Sequence, residues 1–242
     1  MEQALMYLLK MLICSGVLYS YYRIALYNER FHQWNRFYLL GAMVLSVAVP
    51  FIHITVLPDA EESDLKTLIA SLPWNAGAGV TKQAGLTWQG VVSTSGAFVS
   101  LIFFLKVIVN ITKIVIAYHS NPVSILKDKV QLIVTKLTQA PFSFFNWLFW
   151  RQDIDPASAN GQRMLNHELT HIYERHSVDK LFTSLLLCVF WMNPFFWLMR
   201  NELNMIHEFL ADRKAVHPQD RVALAEMILQ ALPFTPPVND GL

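Results

Sequence analysis

Charge is the first thing in short supply. Of the 242 residues, 15% are Asp, Glu, Lys or Arg and 54% are apolar, whereas soluble domains average about 25% and 45–50%. The formal net charge is +1, so no basic surface for phosphate backbones is expected and direct nucleic-acid binding is set aside. Cys14 and Cys188 are the two cysteines, each inside an apolar stretch. Two are too few for a disulfide framework or a cysteine-held metal. No internal repeat is visible, and the apolar blocks lack acids, which argues against a small transporter with a discontinuous ion site.

The apolar residues that are present come in blocks. Ala4–Tyr22 is interrupted by Lys10 alone, Phe37–Ile54 and Gln83–Leu105 carry no charge, and Leu181–Met199 is a fourth block. A bilayer core of about 30 Å takes roughly 20 helical residues, so each is long enough to be weighed as a span. The opening MEQAL lacks the positive n-region of a signal peptide, so the first block reads as a span. Arg23, Arg30 and Arg36 follow the first block against Glu29. Asp59, Glu61, Glu62 and Asp64 dominate the next connection over Lys66 and Lys82, and Lys106, Lys113, Lys127, Lys129 and Lys136 follow the third block. Basic loops stay cytoplasmic. The N-terminus is therefore expected outside, with residues 57–87 as an outside loop holding a short amphipathic helix at 65–72, and the chain after Lys106 inside.

Beyond the third block the pattern changes. Val130–Leu137 is β-branched and partly alternating, which predicts a strand. A turn at Gln139–Pro141 leads to Phe142–Trp150, either a second strand or an aromatic lip at the membrane surface. A polar loop follows, then a helix over about 161–175.

That helix contains His167-Glu168-Leu169-Thr170-His171. Histidines four apart share a helical face and can grip one zinc ion, with the intervening Glu168 placed to deprotonate a bound water. A third ligand is needed. Glu202, His207, Glu208, Asp212 and His217 are candidates, and in the helix predicted over 201–216 Glu208 and Asp212 share one face. Glu208 is taken as the third ligand and Asp212 as the carboxylate that fixes a histidine tautomer. Tyr173, His176, His207 and Arg213 are candidates for stabilising an oxyanion. Asp179 reads as a cap of the following helix or as support for a ligand, with capping the first choice. His32, His53 and His119 have no partner at ligand spacing.

If Leu181–Met199 crossed the bilayer, His171 and Glu208 would stand about 30 Å apart. Asn193-Pro194 breaks that block. The stretch from about 177 to 216 is therefore expected to be an apolar helical hairpin, re-entrant or interfacial, that folds Glu208 back to the histidines.

The runs HELTHIYERHSVD and FWMNPFFWLMRNELNMIHEFLAD, preceded by APFSFFNWLFW, resemble the BlaR/MecR-type membrane metallopeptidases, the β-lactam sensors and antirepressors, from about Val130 to Val216. The resemblance implies a gluzincin-type site in which His167, His171 and Glu208 bind one Zn2+ and Glu168 is catalytic. It also implies cleavage of a cytoplasmic regulatory protein, such as a transcriptional repressor, or of the receptor itself, in signal transduction across a bacterial inner membrane. The expected fold is a mainly α membrane protein: a transmembrane part over 1–117, with spans about 4–22, 37–54 and 88–108, and a cytoplasmic zinc peptidase domain with a small β-sheet over 118–242. Expected partners are a protein or peptide substrate, the lipid bilayer and a second copy in a homodimer. The family's antibiotic sensors continue into a further span and an outside penicillin-binding domain, so the chain is expected to be a piece of a longer receptor or a form answering another signal. Two alternatives stay open: a catalytically silent transmembrane signal transducer or scaffold, and a membrane zinc protease of the quality-control or prenyl-protein type.

Overall fold

A computed structural model describes residues 2–27, 31–52, 88–126 and 129–215. The expected outside loop over 57–87 with its short helix, His53 and His217 lie outside the described residues.

Helix α1 (Glu2–Tyr21) runs into a π-helical turn at Tyr22–Leu26, and α2 (His32–Ala48) ends in a 3-10 turn at Val49–Phe51 that contains Pro50. Helix α3 spans Trp88–His119. These give three stretches long and apolar enough to cross a membrane, Ala4–Leu26, His32–Phe51 and Gly90–His119. Their limits differ from the sequence expectation of 4–22, 37–54 and 88–108. Arg36 does not stop α2, because its guanidinium is buried on a carboxylate instead of facing water. Lys106 and Lys113 do not stop α3, since they stand seven apart on one face while the apolar faces continue. The most apolar window of α3 has a mean hydropathy of 2.2 and none of it is buried, with Phe98, Leu101 and Phe104 all exposed. A helix apolar all round that touches protein along one side only, on α5 and Trp197, has the surface of a lipid-facing span.

The strands β1 (Val123–Ile125), β2 (Gln131–Thr135), β3 (Phe142–Phe144) and β4 (Trp147–Arg151) form one sheet in the order β1-β2-β4-β3. β2 and β4 run parallel, and the outer pairs are antiparallel. The aromatic stretch 142–150 is thus a hairpin, not one strand or a lip. Its two-residue turn is Phe145-Asn146, with Phe145 at φ 50°. The Phe145 N–H donates to Ser177 Oγ at 2.9 Å, fastening the turn to a later helix. Val130, Leu148, Trp150 and Ile172 pack the sheet onto α4 (Ala159–Tyr173). Burying such side chains stabilises by about 1.5–3 kcal/mol each.

Local chemistry sets the ends of the next three helices. Ser158 caps α4 by accepting the Gly161 N–H at 3.0 Å. A Cβ on Gly161 would lie 2.1 Å from the Asp155 carbonyl oxygen, so only glycine fits. Arg175, at φ 56° in the left-handed region, turns the chain sharply into α5 (His176–Val189). Asn193 Oδ1 accepts the Phe195 N–H at 3.0 Å and Pro194 takes the first position of α6 (Pro194–Ala215), a strong start signal.

Helices α5 and α6 form the hairpin. At its tip Asn193 Nδ2 donates to Ser15 Oγ at 2.9 Å, and Ser15 is the midpoint of Ala4–Leu26. Deeper packing joins Met11, Leu39, Met43, Leu187, Phe196, Met199 and Leu203 in one core. Buried Glu202 receives Arg23 Nη1 at 3.0 Å and the Tyr19 hydroxyl at 3.4 Å. The α6 arm of the hairpin therefore docks on α1 and α2, while the α5 arm lies against α3.

Candidate metal centre

The fold-back places α6 across α4, and three side chains converge there. His167 Nε2 and His171 Nε2 are 3.2 Å apart. Glu208 Oε2 lies 3.4 Å from the first and 3.8 Å from the second. Four-coordinate zinc holds its ligands at about 2.0–2.1 Å, which puts tetrahedral ligand atoms about 3.3 Å from one another. Triangle size and donor chemistry (two imidazoles and a carboxylate) both fit that ion. His167 and Glu208 are partly exposed while His171 is buried, so the triangle is open on one side.

Each histidine is held from behind. His167 Nδ1 faces Asp212 Oδ1 at 2.9 Å, the support that the four-residue spacing of Glu208 and Asp212 predicts. His171 Nδ1 faces His176 Nδ1 at 2.8 Å, a partner that sequence reasoning did not assign. Burial, and after it the positive Lys180, lowers the His171 pKa to about 3, which keeps it neutral as a metal ligand must be.

Glu168 is buried and hydrogen-bonded to Ser143 of β3. Burial raises its pKa above the ordinary carboxylate value, outweighing the opposing bond from Ser143 and the charge of His167. A general base gains from a pKa shifted toward the working pH. Beside it opens a cavity of about 450 Å³ lined by Pro141, Arg163, Met164, His167, Glu168 and Asp212, with Ala215 at its edge. Pro141, Ser143 and Arg163 are additions that the sequence did not single out; Arg163, one helical turn before His167, carried the signal of shared face.

The four oxyanion candidates are not gathered at that cavity. His176 and His207 are 1% and 0% exposed, behind the ligands, where a substrate cannot reach them. Arg213 lines a different cavity with Phe31, His32 and Trp34. Tyr173, at the C-terminal end of α4, is half exposed and is not among the side chains lining the site cavity. Asp179 is no helix cap either: its Oδ2 receives Arg36 Nε at 2.6 Å and His207 Nε2 at 2.9 Å. Glu202 is tied up with Arg23, away from the triangle.

Residues 151–238 match the family described as BlaR1 peptidase M56. No curated protein matches the chain.

Proposed function

We propose that the chain is a membrane-embedded zinc metalloendopeptidase of the BlaR1/MecR type, a reading supported by the match of residues 151–238 to the BlaR1 peptidase M56 family. The observation that carries this reading is the open triangle of His167, His171 and Glu208 beside a buried glutamate. His167, His171 and Glu208 would hold a zinc ion, which would supply Lewis-acid activation of a water and of the scissile carbonyl. Glu168 takes a proton from the attacking water and returns it to the leaving amine, while Asp212 and His176 hold the ligand rings.

The strand predicted at Val130–Leu137 has no edge to offer a substrate: β2 has β1 on one side and β4 on the other. The free edge next to Glu168 is β3. Phe144 and Trp147 flank the two-residue turn as a hydrogen-bonded pair, so alternation turns the N–H and C=O of Ser143 outward. An extended peptide pairing there would pass beside Glu168. This favours an unstructured segment of a regulatory protein, repressor-like, or of the chain itself, over a small molecule.

The site lies at the basic ends of the first two spans, since Arg23 meets Glu202 and Arg36 meets Asp179. Under the positive-inside rule that side is cytoplasmic. The Ser15–Asn193 bond supports a re-entrant hairpin whose tip reaches mid-bilayer.

The test is zinc content and cleavage by detergent-purified protein, followed as autocleavage and on casein. Close to one zinc per chain is expected, with cleavage abolished and zinc retained in Glu168→Gln. Zinc-free protein, or undiminished cleavage by the variant, would overturn the proposal.

A further inference from the structure

Behind His171 lies a run of buried polar groups that the hydrolytic chemistry does not use, and it ends on a membrane-length helix. His171, with Nε2 turned to the other two prospective ligands, carries its proton on Nδ1. His176 Nδ1, 2.8 Å away, must then be the acceptor. The His176 ring stacks on that of His207, with centroids 4.1 Å apart and planes 22° from parallel. His207 Nε2 donates to Asp179 Oδ2 at 2.9 Å, and the same oxygen accepts Arg36 Nε at 2.6 Å. Arg36, in the second turn of α2, is itself fixed by Nη2 donating to the Glu174 carbonyl at 2.7 Å. Arg36, Asp179, His176 and His207 are all at most 6% exposed.

Several features make this more than incidental packing. The tautomers of the three rings follow from the two ends: the ligand side fixes those of His171 and His176, and Asp179 fixes that of His207. His176 Nε2 and His207 Nδ1 find no hydrogen-bond partner among the described residues, an orphaning that costs free energy. A simple apolar filling would avoid that cost. The guanidinium also comes from a different part of the chain, so the support of His171 is incomplete without the second membrane-length helix.

We infer that the orientation of His171 is set from α2, with Arg36 acting through Asp179 and His207 on the His176 ring that receives the His171 Nδ1–H. All four are positioning residues. A displacement of α2 along its axis changes the seat of a metal ligand without touching Glu168 or Glu208. The inference rests on the metal reading above and adds a route by which an event in the membrane regulates that site.

The test reads the metal, not proteolysis. Cobalt(II) is titrated into detergent-solubilised full chain in the Glu168→Gln background, recording affinity and the visible ligand-field spectrum. Loss of a group that supports a ligand typically costs 10–100-fold in metal affinity. His176→Leu and Arg36→Lys are each expected to weaken cobalt by about that factor and shift the spectrum. His176→Asn, whose amide oxygen can accept near the place of Nδ1, should restore both. A role in stability alone would lower the melting temperature and leave the spectrum of the folded protein unchanged; that result for Arg36→Lys overturns the link to α2. If His176→Leu does not fold, His176→Asn and Arg36→Lys decide the matter by the same spectrum. Failure of the parent protein to take up cobalt would instead sink the metal reading itself, and this inference with it.

Discussion

Asp212 Oδ1 stands 2.9 Å from His167 Nδ1, on the ring nitrogen opposite the one that faces Glu208. Ligand and supporter thus share one face of α6, four residues apart, and reach the same imidazole from two sides. Asp212→Ala should lower zinc affinity about 10–100-fold, and Asp212→Asn, which keeps an acceptor, by less. Equilibrium dialysis against a competing chelator measures both; equal affinity in Asp212→Ala would contradict the pairing.

Acid should weaken the metal-stripped protein in a defined order. Burial, then the charges of His207, His171, Arg36 and Lys180, pulls the His176 pKa to about 2, and burial foremost takes His171 to about 3. In the unfolded chain both titrate near 6.5. Between those limits the unfolded state binds more protons, so stability falls as pH falls below about 6.5. Asp179 adds a second stage. Burial alone would raise its pKa, but the hydrogen bonds from His207 and Arg36, with the Arg36 charge, bring it below the ordinary value. Its contribution is present above about 3.9 and disappears as pH drops through the lower folded value. Thermal melts of chelator-treated protein from pH 7.5 to 4 should show a steady decline, and a flat profile would refute the buried neutral histidines.

Gly161→Ala is expected to destabilise by at least about 1–3 kcal/mol, as overpacking does. The added methyl would meet backbone at Asp155 instead of a side chain that can swing away. The start of the histidine helix should fray, which amide hydrogen exchange over 158–164 would detect. Protection equal to the parent's would show that the loop yields freely.

Asn193→Leu removes a cap and a buried partner of Ser15 together. A cap alone is worth about 1 kcal/mol, and the lost bond to Ser15, whose Oγ still donates to the Leu12 carbonyl at 2.9 Å, about 0.5–1.5 kcal/mol more. The double change with Ser15→Ala should recover part of the loss, since both polar ends are then gone. Strict additivity of the two single changes, measured by denaturation in detergent, would mean that the pair does not couple.

The candidate ligands were legible because each depended on a short spacing: two histidines four apart, then an acid pair four apart, with Asn193-Pro194 marking where the chain must double back. What escaped depends on contacts distant in sequence. Asp179 sits where a capping acid would, near the start of α5, yet Arg36 from 143 residues earlier claims it. His176 and His207 look like any polar residue on an amphipathic helix. Only the left-handed turn at Arg175 and the packing of α2 bury them behind His171. The β3–β4 hairpin was hidden for another reason: its turn uses Phe145-Asn146 instead of a glycine-bearing pair, so an unbroken aromatic run disguised two strands. The helices outrun the apolar blocks where a charge stops the apolar pattern without stopping the helix, at Arg36 and Lys106.

The hairpin that separates α4 from Glu208 also sets an order of events during synthesis. The ribosome delivers the second imidazole, His171, thirty-seven residues before the Glu208 carboxylate, and until then the nascent chain owns only a weak two-armed grip. The third arm arrives after a greasy loop has been threaded down to the level of Ser15 and back. On the proposed re-entrant placement, completion of the triangle is tied to insertion of the hairpin: a chain stalled outside the lipid would have the motif but not the trap.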